Sequence, residues 1–306
     1  MINQLKTVLL LGLLTTGLVA IGALLGPTWL LGSLCLAVLL NVGGYFFSDR
    51  LVLSMHGAVE MDRRQFPHLY AMTEELAQNA RIPTPRLYLI PASYPNAFAT
   101  GRNPQRGVVA VTEGLCRLLN ERELRGVIAH EIAHIRNRDV LIATVAAMLA
   151  AAITSCANLL QFSAFFGSSD EEEGPSPLAA LAFAIVAPFA ALLVQMGISR
   201  SREYVADAFA AEVSGDPQAL ASALRKLTIS SHQVVEEPSP ATASLFIVNP
   251  LHGGIANWLS THPPAEERID RLMTMAQARS PSSRRQKSER DSFRFHPNRP
   301  DWSQRI

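Results

Sequence analysis

The chain has 306 residues, a formal net charge of +1, 48% hydrophobic residues and only 17% charged ones, against about 25% charged in an average soluble domain. The shortfall is local: stretches 7–48, 140–169 and 174–199 carry no charge, and the remaining 208 residues hold all 53 charged side chains, or 25%. This distribution excludes a wholly soluble chain, a disordered one and a channel without a sizeable extramembrane part, and the near-zero net charge gives no support for nucleic-acid binding.

A spanning helix needs about 20 mainly apolar residues. Stretch 7–48 is long enough for two, at 8–25 and 29–47, with Gly26-Pro27-Thr28 turning between them. A cleaved signal peptide competes for the first. A single lysine ahead of it, Lys6, and a second apolar run directly behind favour a retained hairpin. Residues 67–80 open on Pro67 and space Leu69, Met72, Leu76 and Ala80 as one helical face. After the Pro83 and Pro85 break, 86–90 reads as a short strand, 96–100 as a weak one and 107–111 as a stronger one. Thr112 starts a short helix to Leu119. Asn120, with Glu123 placed for a capping box, starts another that runs from 121 to 139 and into the third apolar stretch without a breaker.

Residues 140–166 and 178–198 are the second pair of candidate spans, with buried core helices or a shallow hairpin as the alternatives. Helix continues over 199–212 and stops at Gly215; Asp216-Pro217 starts another to 230. A Ser-, Pro- and Gly-rich loop covers 231–254, a last helix 263–278, and the basic tail from 279 reads as disordered. Lys6, Arg50, Arg63, Arg64, Arg136, Arg138, Arg200 and Arg202 flank the spans on one side, and Asp170-Glu171-Glu172-Glu173 lies on the other. By the positive-inside rule the N-terminus, 49–139 and everything after 199 face the cytoplasm. The three cysteines have no His or Cys at metal spacing and read as small buried apolar residues.

His130-Glu131-Ile132-Ala133-His134 is an H-E-x-x-H motif on an expected helix. Spacing i to i+4 puts both imidazoles on one face, as two ligands of one zinc ion require, and leaves Glu131 beside the metal as general base. A catalytic zinc takes three protein ligands and keeps one position open. Ile135-Arg136-Asn137 lacks the continuation that supplies a third histidine, so a carboxylate from a second helix is expected. In Ser199-Arg200-Ser201-Arg202-Glu203-Tyr204-Val205-Ala206-Asp207, Glu203 can ligate and Asp207 can accept a hydrogen bond from a ligand histidine; a solvated charged face is the competing reading. His262, before Pro263-Pro264, is a candidate for stabilising an oxyanion, against plain helix-start chemistry. Asn96, Ala97, Phe98, Ala99 and Thr100 offer an exposed edge strand that can pair with an extended peptide, against an ordinary sheet edge.

The sequence resembles the HtpX heat-shock membrane metalloproteases, relatives of the CAAX prenyl endopeptidases. The resemblance rests on five ordered stretches: Asn96 to Gly101, His130 to His134 with Asn137 and Asp139 nearby, Ser199 to Asp207, Ala243 to Leu251, and Ser260 to Ile269. It implies a mainly α membrane protein with four transmembrane helices and a cytoplasmic α+β metalloprotease domain of zincin (gluzincin) type with a small sheet. Residues 1–48 and 140–198 would form the hairpins, 49–139 with 199–278 the protease domain, and 279–306 the tail. It implies one Zn2+ per subunit on His130, His134 and Glu203, with Glu131 as base. Asp207 would orient a ligand histidine, His262 would stabilise the tetrahedral intermediate, and the 96–100 edge would hold the substrate backbone. The implied setting is a bacterial plasma (inner) membrane, and the implied partners are the lipid bilayer and unfolded or damaged membrane-protein substrates. A non-catalytic zinc-binding scaffold and a prenyl-protein processing peptidase are the alternatives.

Overall fold

A computed structural model describes residues 27–141, 200–231, 246–247 and 263–279, with seven positions between Val8 and Ala23. The second expected hairpin, the tail after Arg279 and His262 lie outside the described residues. Helix α1 (Pro27–Met55) starts on a proline, which suits a first helical turn. Its window Leu30–Phe47 is long and apolar enough to cross a membrane, and Leu31 and Leu39 are exposed. The expected end at Phe47 is too early: Asp49 and Arg50 do not stop the helix, which runs on because Val52 and Leu53 have an apolar surface to bury against. Of the preceding segment, Val8, Leu11, Gly12, Thr15, Thr16, Val19 and Ala23 are helical, and Thr15 Oγ1 accepts a hydrogen bond from Asn41 Nδ2 of α1 at 2.6 Å.

That apolar surface is one face of a four-stranded sheet, β1 (Val59–Glu60), β2 (Arg86–Ile90), β3 (Ala97–Thr100) and β4 (Val108–Thr112), in the order β1-β2-β4-β3. β2 and β4 are parallel; β1 and β3 are antiparallel to their neighbours and form the edges. The period-2 alternation of strands divides the side chains cleanly. Tyr88, Ile90, Phe98, Val108 and Ala110 pack on Val52 and Leu53 of α1. Leu87, Ala97, Ala99, Val109 and Val111 pack on the helical layer. Both faces are covered, which is why β4 reads as a continuous apolar run and not as an alternating one. The two-residue β1 was not foreseen; it is too short to carry a periodic signal.

The helical layer contains α2 (Pro67–Ala80), α3 (Glu113–Leu118), α4 (Glu121–Asn137), α5 (Arg200–Ser214), α6 (Pro217–Ser231) and α7 (Ala265–Arg279). The expected capping box of α4 is formed: Asn120 Oδ1 accepts from Glu123 N–H and Glu123 Oε2 from Asn120 N–H, both at 3.0 Å. Glu123 also accepts from Ser222 and Lys226 of α6, at 2.7 Å each, so the cap doubles as a helix–helix tie. The expectation that α4 continues unbroken past residue 139 is corrected. Arg138 adopts a left-handed conformation (φ 58°), with Arg138 N–H on the Ile135 carbonyl and Asp139 N–H on that of His134. This pair of bonds is the Schellman ending. A non-glycine residue in that conformation leaves no composition signal, so the sequence did not show it. Cys116 is exposed, correcting the reading of it as buried, and Cys35 lies on the outer surface of the apolar window of α1.

Candidate active site

The site is assembled by α4 from one side and α5 and α7 from the others. His130 and His134 are one helical turn apart and their Nε2 atoms are 3.2 Å apart. Glu203 of α5 places Oε2 3.5 Å from His130 Nε2 and Oε1 3.5 Å from His134 Nε2. These three residues form a group that could hold a metal ion. Donors about 2.1 Å from a tetrahedral ion sit about 3.4 Å from one another, and the observed spacings fit that requirement. Charge gives a second, independent fit. Glu131, Asp139, Glu203 and Asp207 are buried, with Arg268 and Arg202 as the cations set against them. With both imidazoles neutral, as ligation requires, four carboxylates and two guanidiniums sum to −2, a costly charge to bury. A divalent cation brings the cluster to zero.

Each imidazole is backed by a carboxylate. Asp207, one turn beyond Glu203, brings Oδ1 to 3.0 Å from His130 Nδ1, where the sequence placed it. Asp139 Oδ2 is 3.2 Å from His134 Nδ1. That partner was not foreseen: five residues beyond His134, it would lie off the histidine's face on a continuous helix, and only the turn at Arg138 folds it back. Arg202, expected to be a charge marking the membrane boundary, instead lies 3.6 Å from Asp139 Oδ1 and is mostly buried. Such outer partners typically matter 10- to 100-fold in metal affinity. Asp139→Asn is therefore expected to loosen the metal about tenfold or more, read by competition with a chelator, with the fold retained.

Arg268 of α7 is the second residue that sequence reasoning missed. Its side chain is fully buried. Nε donates to Asp207 Oδ2 at 2.8 Å, Nη2 to Asp207 Oδ1 at 2.7 Å and Nη1 to the Ile247 carbonyl at 2.9 Å, while Nη1 stands 3.4 Å from Glu203 Oε2. The available signal was periodicity: Arg268 precedes Leu272 by four residues and Ile269 by one, which places it on the buried face of α7.

Glu131 is buried beside the two histidines. Burial raises its carboxyl above the usual range, against the lowering by His130, His134 and the hydrogen bond from the Ala99 backbone. β3 lies alongside, at the sheet edge as expected, but its residues and Asn96 are buried and not exposed. The Asn96 carbonyl accepts from the Thr112 N–H at 2.9 Å, and the Asn96 N–H donates to the Thr112 hydroxyl at 2.9 Å. By antiparallel alternation Ala97 and Ala99 then turn their main-chain groups away from β4, on the side where Ala99 meets Glu131. The Asn96 side chain is engaged elsewhere: Oδ1 accepts from Ile247 N–H at 3.3 Å.

For His130, burial lowers the pKa, and the contacts with Asp207 and Glu203 outweigh it, holding the imidazole up to about 9. Only the neutral ring can ligate, so metal must displace this proton below about pH 9. Affinity is expected to fall about tenfold for each pH unit lowered below about 9, with proton release on binding seen in calorimetry in buffers of different ionisation heat. A pH-independent affinity would contradict this. Burial also raises the Asp207 carboxyl, but Arg268 overrides it and keeps the group ionised.

Two helix-borne histidines, a carboxylate from a second helix and a buried glutamate next to the first histidine define an H-E-x-x-H metallopeptidase. A family model described as Peptidase family M48 matches residues 63–276. The chain is 49% identical over 280 residues to the "Protease HtpX homolog" of Syntrophobacter fumaroxidans, covering 89% of this chain and 99% of that protein. It is also 49% identical over 283 residues to the "Protease HtpX homolog" of Ralstonia pickettii, covering 90% and 98%. The chain belongs to peptidase family M48 and is a homolog of the HtpX proteases. Among solved structures, that of S. mikatae Ste24p is similar at 21% identity with a TM-score of 0.44, covering 78% of this chain and 56% of that one.

Proposed function

We propose that this metallopeptidase is a zinc-dependent endopeptidase of a bacterial plasma membrane that cuts unfolded or damaged membrane proteins on the cytoplasmic side. The observation that carries this reading is continuity: the apolar window of α1 passes within one helix into Val52 and Leu53, which pack against the sheet that borders Glu131. A site fastened this way reaches chain segments close to a bilayer. The bundle would hold four spans, two of them at 140–166 and 178–198.

Zinc on His130, His134 and Glu203 would supply Lewis-acid activation of water and of the scissile carbonyl. Glu131 takes the proton of the attacking water as its oxygen bonds to the carbonyl carbon, then delivers that proton to the leaving nitrogen as the C–N bond breaks. His262 stabilises the oxyanion between the two steps. The outward main-chain groups of Ala97 and the Ala99 carbonyl would align an extended substrate, the Ala99 N–H being held by Glu131, which gives weak side-chain selectivity.

The test is the full chain in vesicles with zinc, given a membrane-anchored reporter in folded and unfolded forms. The unfolded form should be cut and chelation should stop it. Zinc-loaded protein that cuts neither form would favour a scaffold, and equal cutting of both would remove the quality-control reading.

A further inference from the structure

Two ring contacts fix how β3 lies on α1. Phe98 sits 5.4 Å from the ring of His56, and Arg102 Cζ sits 5.2 Å from the ring of Phe46. The first contact lies just past the end of α1 and the second about 15 Å back along it, while along the other chain segment they fall on β3 and two residues after its end. β3 therefore runs antiparallel to α1, and the Arg102 guanidinium just past its end reaches Phe46, in the last turn of the apolar window.

The loop that follows β3 is built, not slack. Gly101 has φ 125°, and a Cβ there would strike the Arg106 carbonyl oxygen. Asn103 Oδ1 accepts from Arg106 N–H at 3.1 Å and closes a single turn of 3-10 helix, Pro104–Arg106. Gly107 lies against the metal-site helix, where a Cβ would come within 2.9 Å of Ile135 Cγ2. The turn carries Arg102 and the exposed Arg106, and on α1 the exposed Arg50 lies one helical turn beyond Phe46, with its Cζ 6.0 Å from the ring of Phe47. Residues 101–107 contain no acid, and among the described residues none of the three arginines has a carboxylate ion pair. The acidic neighbour is Asp49, which accepts the Arg50 backbone N–H at 2.9 Å.

We infer that Arg50, Arg102 and Arg106 form a docking rim for the phosphate headgroups of anionic phospholipids, which fastens the end of β3 and, through Gly107 on Ile135, the metal-site helix to the bilayer surface. The inference rests on the bilayer reading above. Guanidiniums at the lipid interface gain on the order of fivefold in anionic-lipid binding each, and arginine is suited to phosphate by its paired donors.

The experiment compares wild type, Arg102→Gln/Arg106→Gln and Arg102→Lys/Arg106→Lys, all as full chains, in phosphatidylcholine vesicles and in equimolar phosphatidylcholine–phosphatidylglycerol vesicles. Cleavage of an unfolded reporter is followed. So is quenching, by headgroup-spin-labelled phosphatidylglycerol, of a fluorophore on Gln105→Cys in a chain whose three cysteines are Ser. Wild type should cleave several-fold faster and be quenched in the anionic vesicles. The Gln pair should match wild type in phosphatidylcholine and gain nothing from anionic lipid, and the Lys pair should recover most of the gain. Inorganic phosphate should not substitute. An embedded wild type indifferent to phosphatidylglycerol, stimulation by free phosphate alone, or a Gln pair that keeps the lipid gain overturns the rim. Extraction of the chain by alkaline carbonate overturns the bilayer reading instead, and the rim with it.

Discussion

Glu131→Gln is expected to lower peptide-bond hydrolysis by roughly 10²- to 10⁴-fold while the protein keeps its metal. The substitution preserves shape. The residue is buried at 4% exposure, and an amide oxygen at the same place can still accept the Ala99 hydrogen bond. Lost is the basic oxygen that takes the proton of the attacking water. Metal retention follows because Glu131 is outside the His130, His134 and Glu203 donor group. Parallel assays of zinc content and reporter cleavage check this. Wild-type turnover by the variant would move the base elsewhere, and loss of metal would make Glu131 part of the binding set.

Arg268→Ala is expected to be a severely damaging single change to stability, by about 3–5 kcal/mol, because it takes the guanidinium away from the buried, ionised Asp207 and leaves that carboxylate only its contact with His130. Arg268 is 1% exposed and gives both edges of its guanidinium to Asp207 and to Ile247. The cost should appear as a lower unfolding midpoint. Double replacement with leucine, Arg268→Leu with Asp207→Leu, should recover much of the stability, since removing both members of a buried pair is far less costly than removing one. It should still lose metal affinity, because nothing then backs His130. A double variant with full affinity would reduce Arg268 and Asp207 to fold-holding groups.

The parts of the site visible in the sequence were those whose spacing is a helical repeat. His130 with His134 and Glu203 with Asp207 are each four apart, and both pairs came out on one face. The capping box at Asn120 was legible for the same reason, since it depends on residues three apart. Asp139 was hidden by a turn that a non-glycine residue makes. Arg268 was hidden because a charged residue in a charged helix start reads as solvent-facing until its partners are known. Asn96 was read as a strand residue with a role toward substrate, and its side chain proves to hold the chain at Ile247 across 151 positions of sequence. Such long-range pairings leave no local periodicity. The sheet's two-sided burial was foreshadowed by the unbroken apolar run of β4, but the docking of α1 on it was not, because Asp49 and Arg50 look like the end of a span.

His130, His134 and Glu203 together are expected to hold one zinc ion. The most direct test is the zinc content of the purified full chain beside that of Glu203→Ala, after dialysis against a mild chelator. One zinc per chain in wild type and little or none in the variant is the predicted result. Full zinc occupancy in Glu203→Ala would contradict it and send the search for the third ligand to another residue.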